Sequence, residues 1–318
     1  MPDTEITFDH ILAAAERIRP TAKRTPVMTS HSFDTAAGVT AFFKCENLQT
    51  GGAFKIRGAS NFIFSIPKDE LKKGVVAQSS GNHAQAVAIA AQVAGAAATL
   101  VMPEDAPRAK LEGTRARGAR IVTYNRFNED RNAISSRIAA ETGAIMVPPY
   151  DHPWTIAGQG TAALELFEEV PDLDALIVCV GGGGLMSGSS IVAHHLRPSI
   201  RIFGIEPETA NDTFLSFAAG KRVTIPTPPT IADGLRSPTP GELTFPILRK
   251  HVEQMLTVSD DEIRATLKFL LMRMKILVEP SGAVSAAAAL SKKIPSGIGR
   301  VGIILSGGNV DYEQLAAL

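Results

Sequence analysis

Between residues 74 and 147, short apolar runs alternate with longer stretches of helical periodicity. Gly74-Val75-Val76-Ala77 predicts a strand that leads into a helix at 83–94, and residues 98–102 predict the next strand. An Arg- and Lys-rich helix near 110–117, a strand at 120–124, an amphipathic helix at 129–142 and a strand at 144–147 complete this series. A second series follows, with a helix at 159–169, a strand at 175–180, a helix at 185–195 and a strand at 202–205. Helices at 260–274 and 281–292 and a strand at 301–305 close it. Pro148, Pro149 and Pro153 punctuate the crossover between the two series, and the proline-rich piece 225–240 predicts a long ordered loop. Regular strand–helix alternation predicts an α/β fold with parallel sheets flanked by helices.

Composition narrows the classes. The 318 residues are enough for two domains. Lys+Arg and Asp+Glu both count 32, so no whole-chain basic footprint points to nucleic acid or an anionic membrane. The longest uncharged run, 74–103, carries Ser79, Ser80, Asn82, His83, Gln85 and Gln92, which fits a buried strand–helix–strand rather than a membrane span. Cys45 and Cys179 lie in apolar runs and are expected to be buried free thiols. Residues 1–16 carry acids and no apolar centre, so no signal peptide is expected and the reading is a soluble cytoplasmic protein. With Leu318 soon after the last strand, no appended effector domain is expected.

Four segments carry candidate chemistry. Lys55 lies in Gly51-Gly52-Ala53-Phe54-Lys55-Ile56-Arg57-Gly58 and offers an amine that can form a Schiff base. Gly181-Gly182-Gly183-Gly184-Leu185 follows a strand and opens a helix, so several backbone N–H groups can converge on one anion at a positive helix end. It lacks the Lys-Ser/Thr of a nucleotide-binding P-loop and the spaced third glycine of a dinucleotide fingerprint, so a phosphate on a small cofactor fits better. Ser79-Ser80-Gly81-Asn82-His83 sits between a strand and a helix, where N–H groups suit a substrate carboxylate. Ser306-Gly307-Gly308-Asn309 follows the last strand and supplies a hydroxyl. Together the four suit pyridoxal phosphate (PLP).

These segments resemble the fold-type II PLP enzymes, a tryptophan synthase β-like fold, in the branch of serine/threonine dehydratases, serine racemases and 3-hydroxyaspartate dehydratases. The likeness extends to Thr25-Pro26-Val27, Ile156-Ala157-Gly158-Gln159-Gly160-Thr161 and Ile231-Ala232-Asp233-Gly234, and so covers nearly the whole chain. It implies a large PLP-binding domain from 1–72 and 148–318 and a small mobile domain from 73–147. It also implies that Lys55 holds the cofactor as a Schiff base and then takes the α-proton, with Ser80 as an acid/base group on the opposite face. Phe54 would pack on the pyridine ring, Asn82 would bond its 3-oxygen, and Gly181, Gly182, Gly183, Gly184 and Leu185 would hold its phosphate. Ser306 would bond the ring nitrogen. A neutral hydroxyl cannot keep that nitrogen protonated as an aspartate would, which favours prompt loss of a β-leaving group.

Substrate and metal residues follow from the same likeness. Ser79, Ser80, Gly81, Asn82 and His83 would bind the substrate carboxylate. Arg131, in Asn128-Glu129-Asp130-Arg131, offers a fork for a second, distal carboxylate, with His152 assisting from Tyr150-Asp151-His152-Pro153. Glu206, the carbonyl of Ala210 and Asp212 are oxygen ligands that suit Mg²⁺, Mn²⁺ or Ca²⁺, and related enzymes carry a divalent ion at matching positions. One departure is Ala53, where the family commonly has serine. The expectation is a homodimeric ammonia-lyase acting on a small amino acid, with 3-hydroxyaspartate giving oxaloacetate as the first choice. L-Serine or L-threonine dehydration, serine racemisation and a non-catalytic binding role on the same fold are the alternatives.

Overall fold

The computed structural model describes residues 5–79, 81–105, 108–125 and 128–316. Among the described residues ten strands form two sheets. They are β1 (Val27–Met28), β2 (Thr40–Cys45), β3 (Val75–Gln78), β4 (Ala98–Pro103), β5 (Arg120–Tyr124), β6 (Ile145–Met146), β7 (Ala175–Cys179), β8 (Arg201–Pro207), β9 (Gln254–Val258) and β10 (Arg300–Leu305). The larger sheet has the order β1-β2-β10-β7-β8-β9 and the smaller one β5-β4-β3-β6. Only β1 runs antiparallel to its neighbour; every other pairing is parallel.

Each sheet has its own apolar core. Every residue of β7 is buried, as are Val301 to Leu305 of β10, because helices cover both faces of these central strands. Helices Pro153–Glu169, Gly184–Leu196 and Pro280–Leu290 contribute to the core of the larger sheet. The smaller core is built from β3, β4, helix Asn82–Ala94 and one side of helix Lys55–Phe64. Cys45 and Cys179 are buried free thiols. Among the described residues no helix is long and apolar enough to cross a membrane.

Several elements differ from the sequence expectation. Helix Pro153–Glu169 begins six residues before 159, because Pro153 occupies its first turn and His152 accepts the Trp154 N–H as a cap. The helix expected at 129–142 begins at Arg131, because Asp130 caps it through the Asn132 N–H. The helix expected to run to 274 ends as an α-helix at Phe269 and closes in a single π-turn, Leu270–Met274.

A buried ion network stands beneath helix Lys55–Phe64. Arg57 is fully buried and bridges two carboxylates, with Nε to Glu46 Oε2 at 2.7 Å and Nη1 to Glu165 Oε1 at 2.7 Å. Lys44 Nζ adds a contact to Glu165 Oε2 at 2.7 Å, so two cations offset two acids. Burial alone would raise the Glu46 carboxyl, but Arg57 beside it holds the group below the ordinary value. The network fixes the first turn of the helix that starts at Lys55.

Candidate active site

The candidate segments converge beyond the carboxyl ends of β3, β7 and β10, where open parallel sheets place their ligands. Lys55 opens its helix, and its Nζ donates to the carbonyl of Pro149 at 2.9 Å. Desolvation of the amine pushes its pKa down to about 8, against the opposing pull of Cys179 and Glu279. Phe54 lies directly before it, with the amine 5.0 Å from the ring centroid. The Phe54 N–H donates to Ser306 O at 3.0 Å, and Ala53 bridges Gly307, so the start of the helix is tied to the end of β10. Ser306 is buried, and its hydroxyl donates to Ser281 O at 3.5 Å.

The glycine turn joins this centre through Gln159. Gln159 Nε2 donates to the same Pro149 carbonyl at 3.1 Å, and its buried Oε1 has no hydrogen-bond partner among the described residues. A Cβ on Gly184 would lie 2.3 Å from that oxygen. A Cβ on Gly182 would lie 2.4 Å from the Tyr150 ring, and Gly183 takes φ of +91°, the region only glycine enters readily. Helix Gly184–Leu196 starts here, so the turn presents backbone N–H groups at the positive end of a 13-residue helix. The Leu185 side chain is buried, which leaves its backbone N–H as the polar group it can offer.

The turn after β3 is only partly described, since Ser80 lies outside the described residues. The Gly81 N–H donates to Ser79 Oγ at 3.2 Å. Asn82 is held at both ends of its amide: Nδ2 donates to Glu279 Oε1 at 2.7 Å, and Oδ1 accepts from Asn309 Nδ2 at 2.9 Å. One N–H of Asn82 is left for a ligand. His83 Nε2 lies 2.9 Å from Val147 O. Burial and the nearby Lys55 push its pKa down to about 3, so the ring is neutral and donates from Nε2 to that carbonyl.

The remaining expected residues lie apart from Lys55 or in structural contacts. Arg131 is exposed at the first position of its helix, next to Asn132, whose side chain bonds Gln78 just before Ser79. His152 uses Nδ1 as the helix cap, and its ring packs on Phe62 at 4.7 Å and Trp154 at 5.3 Å. Glu206 is the penultimate residue of β8 and accepts from the Thr213 N–H at 3.1 Å and the Phe214 N–H at 2.7 Å. Asp212 is buried beside it, and neither of its oxygens has a partner among the described residues. Burial, and for Glu206 also the charge of Asp212, raises both carboxyls; Asp212 reaches about 7. No group of three or more His, Cys, Asp or Glu side chains gathers among the described residues, so the carboxylate set here is a pair.

Sequence reasoning missed Glu279, Tyr150 and Thr244. Glu279 had a visible signal, since it is the lone charge between Lys275 and Lys292. Tyr150 and Thr244 had none.

Comparison with known proteins supplies the remaining context. The chain is 50% identical to the L-threo-3-hydroxyaspartate ammonia-lyase of Saccharomyces cerevisiae, over 98% of this chain and 96% of that one. It is 48% identical to the serine racemase of Schizosaccharomyces pombe over the same shares of the two chains. The solved structure of maize serine racemase superposes with a TM-score of 0.94 at 46% identity, covering 98% of this chain and 96% of the other. The family described as "Pyridoxal-phosphate dependent enzyme" matches residues 18–307. The chain therefore belongs to the pyridoxal-phosphate dependent enzymes, in the fold-type II branch that holds serine racemases and 3-hydroxyaspartate and threonine ammonia-lyases.

Proposed function

We propose that this PLP enzyme is an ammonia-lyase that removes water from 3-hydroxyaspartate to give oxaloacetate and ammonia. Arg131 carries the choice of substrate. It opens the helix whose next residue, Asn132, accepts from Gln78 just before the Ser79–His83 turn, so the start of that helix is tied to the segment that suits the α-carboxylate. A dicarboxylic amino acid uses both features, and serine uses one.

The residues present fit the cofactor. An amine with a pKa of about 8 lies near a helix-start glycine turn, and the orphaned Gln159 Oε1 lies between them. Held at Lys55, PLP supplies an electron sink that acidifies the Cα–H of an amino acid. Gly181 to Leu185 would hold the phosphate through backbone N–H groups at the start of helix Gly184–Leu196, and Asn82 would offer its remaining N–H to the 3-oxygen. Phe54, beside Lys55, would pack against the ring, and Ser306 would offer its hydroxyl to the ring nitrogen. The Lys55 amine would be the base for the α-proton, a role suited by burial that lowers its pKa to about 8. Ser79, Gly81, Asn82 and His83 would frame the α-carboxylate; Ser80, the expected second acid/base group, lies outside the described residues. The α-proton and the β-hydroxyl would together be lost as water; the released enamine tautomerises to an imine, and its hydrolysis gives ammonia and the keto acid. The described residues between 73 and 147 would act as a small domain that moves against the rest to admit substrate.

Racemisation of serine is the second reading, favoured by the serine racemase likeness. It begins with the same proton removal, so one site can do both. A divalent cation completes the protein away from Lys55, held by Glu206, the Ala210 carbonyl and Asp212. Two buried carboxyls with raised pKa values and two orphaned Asp212 oxygens fit a cation at that place. Chelation is expected to lower Tm by several degrees, with Mg²⁺, Mn²⁺ or Ca²⁺ restoring it; an unchanged Tm removes the metal. The working assembly is a homodimer. Leu48 and Leu277, both exposed, lie at the Asn47–Leu277 bond and offer apolar surface for such a contact.

The deciding experiment measures keto-acid release with 3-hydroxyaspartate stereoisomers, L-serine and L-threonine. A hydroxyaspartate isomer is expected to have the highest kcat/KM, and Lys55→Ala to lower turnover by about 10³-fold. Arg131→Ala should cost the dicarboxylate about tenfold more than serine, the worth of one charge-assisted hydrogen bond. Equal losses on both substrates, or a serine preference in the parent, would reject the dicarboxylate reading.

A further inference from the structure

The carbonyl of Gly182 is held from outside the glycine turn. Thr244 Oγ1 donates to it at 2.7 Å, and the Gly241 N–H donates at 3.3 Å. All peptide bonds in the described chain are trans. In a planar trans peptide the N–H points opposite to the C=O. Anchoring Gly182 O on the Thr244 side therefore turns the Gly183 N–H the other way, away from Thr244.

Thr244 is itself held. It is fully buried at the first position of helix Thr244–His251, whose N-cap, Leu243, provides no side-chain cap. The cap comes instead from Asp151, on the crossover between the two sheets. Asp151 Oδ1 accepts from Leu243 N at 2.9 Å and Thr244 N at 3.2 Å, and Oδ2 accepts from Glu242 N at 2.8 Å. One carboxylate thus satisfies three main-chain donors at a helix start, 93 residues away in sequence at Thr244. The same crossover segment carries the Pro149 carbonyl that holds Lys55 and the Tyr150 ring that covers Gly182.

We propose that Thr244 and Asp151 are positioning residues for the cofactor's phosphate. Thr244 fixes the Gly182–Gly183 peptide so that its N–H faces the anion, and Asp151 fixes Thr244. The proposal rests on the assignment of the glycine turn to the phosphate. It makes the preference for a phosphorylated over an unphosphorylated cofactor a property of a hydroxyl that never touches the cofactor.

The test is equilibrium binding of PLP and of pyridoxal, which lacks the phosphate, to the apoprotein. Thr244→Val keeps the shape and removes the hydroxyl. It should weaken PLP binding by about tenfold, the worth of one buried hydrogen bond, and leave pyridoxal binding unchanged. Thr244→Ser, which restores the donor, should recover most of the loss. Asp151→Asn should weaken PLP less than Thr244→Val does. The double variant Asp151→Asn/Thr244→Val should be no weaker than Thr244→Val alone, because both changes act through one peptide. Equal loss of PLP and pyridoxal, or a serine variant as weak as the valine one, would reduce Thr244 to a packing role and overturn the proposal. Full additivity in the double variant would overturn the part assigned to Asp151. A parent protein with no preference for PLP over pyridoxal would strike the phosphate assignment itself.

Discussion

The two ligand-facing turns are held in opposite ways. The glycine turn after β7 is enclosed: Tyr150 and Thr244 crowd it, and ten consecutive residues of the helix it opens, Gly184 to Ala193, are buried. The turn after β3 rests on Gly81 to Ser79, the Asn82 clamp and the bond of His83 to Val147. The two sheets behind them differ likewise. β7 is buried along its whole length, whereas β5 is an edge strand with one buried residue, Tyr124. Helix Arg131–Thr142 buries only Ser135. The turn proposed to hold the cofactor is thus closely packed, whereas helix Arg131–Thr142 and β5, in the region of the smaller sheet, are lightly buried and suited to local opening.

The firmest way to break this contrast is to damage the packed side. Arg57→Met leaves Glu46 buried without its cation, and Lys44 offsets only part of the remaining charge. Loss of a partner in a buried ion pair costs about 3–5 kcal/mol. Urea unfolding should register that loss, with refolded holoprotein as the reference. A cost below about 1 kcal/mol, the range of exposed pairs, would mean that the network does not hold the start of the Lys55 helix. Hydrogen exchange then sharpens the contrast without mutation. Amides of helix Arg131–Thr142 should exchange about a hundredfold faster than those of Gly184–Leu196, in keeping with local opening of a lightly buried element. Equal protection would show the two regions opening together and would remove the moving small domain.

Much of this arrangement was legible in the sequence because the chemistry sits in contiguous runs. Lys55, Asn82, Gly181 to Gly184 and Ser306 each follow or open an element with a strong local signature, and each lies beyond a strand end. The supporting shell was not legible. Glu279 meets Asn82 across 197 residues and Thr244 meets Gly182 across 62, and both encounters depend on which strands become neighbours. β10 pairs with β2 and β7, an order that no local pattern encodes. β9 escaped for a different reason. It is an edge strand with two buried residues, Met255 and Val258, too few for a clear period-2 signal. The start of helix Pro153–Glu169 escaped because its prolines read as a loop, although Pro153 occupies the helical position where proline is tolerated best.

Lys55 stands at the seam between the two regions, with its helix on the ion network and its amine on the crossover carbonyl of Pro149. Its pKa therefore reports how dry that seam is. Burial lowers it from 10.5 to about 8, so the nucleophilic neutral amine should appear with a midpoint near pH 8. The apoprotein mixed with PLP at a series of pH values gives that midpoint from the initial rate of Schiff-base colour, with Lys55→Ala as the blank. The sign for stability follows from proton counting. Between about pH 8 and 10.5 the unfolded chain binds more protons at this group than the folded one. The contribution of Lys55 is fully present above 10.5 and is lost as pH falls through about 8, so apoprotein stability from this group rises with pH across the window. A midpoint near 10.5 would mean that water reaches the amine freely, and the seam would then be as open as the turn after β3. A midpoint near 8 that rises when Gln159→Ala loosens the Pro149 carbonyl would instead tie the dryness of the site to the crossover, which is the segment both regions share.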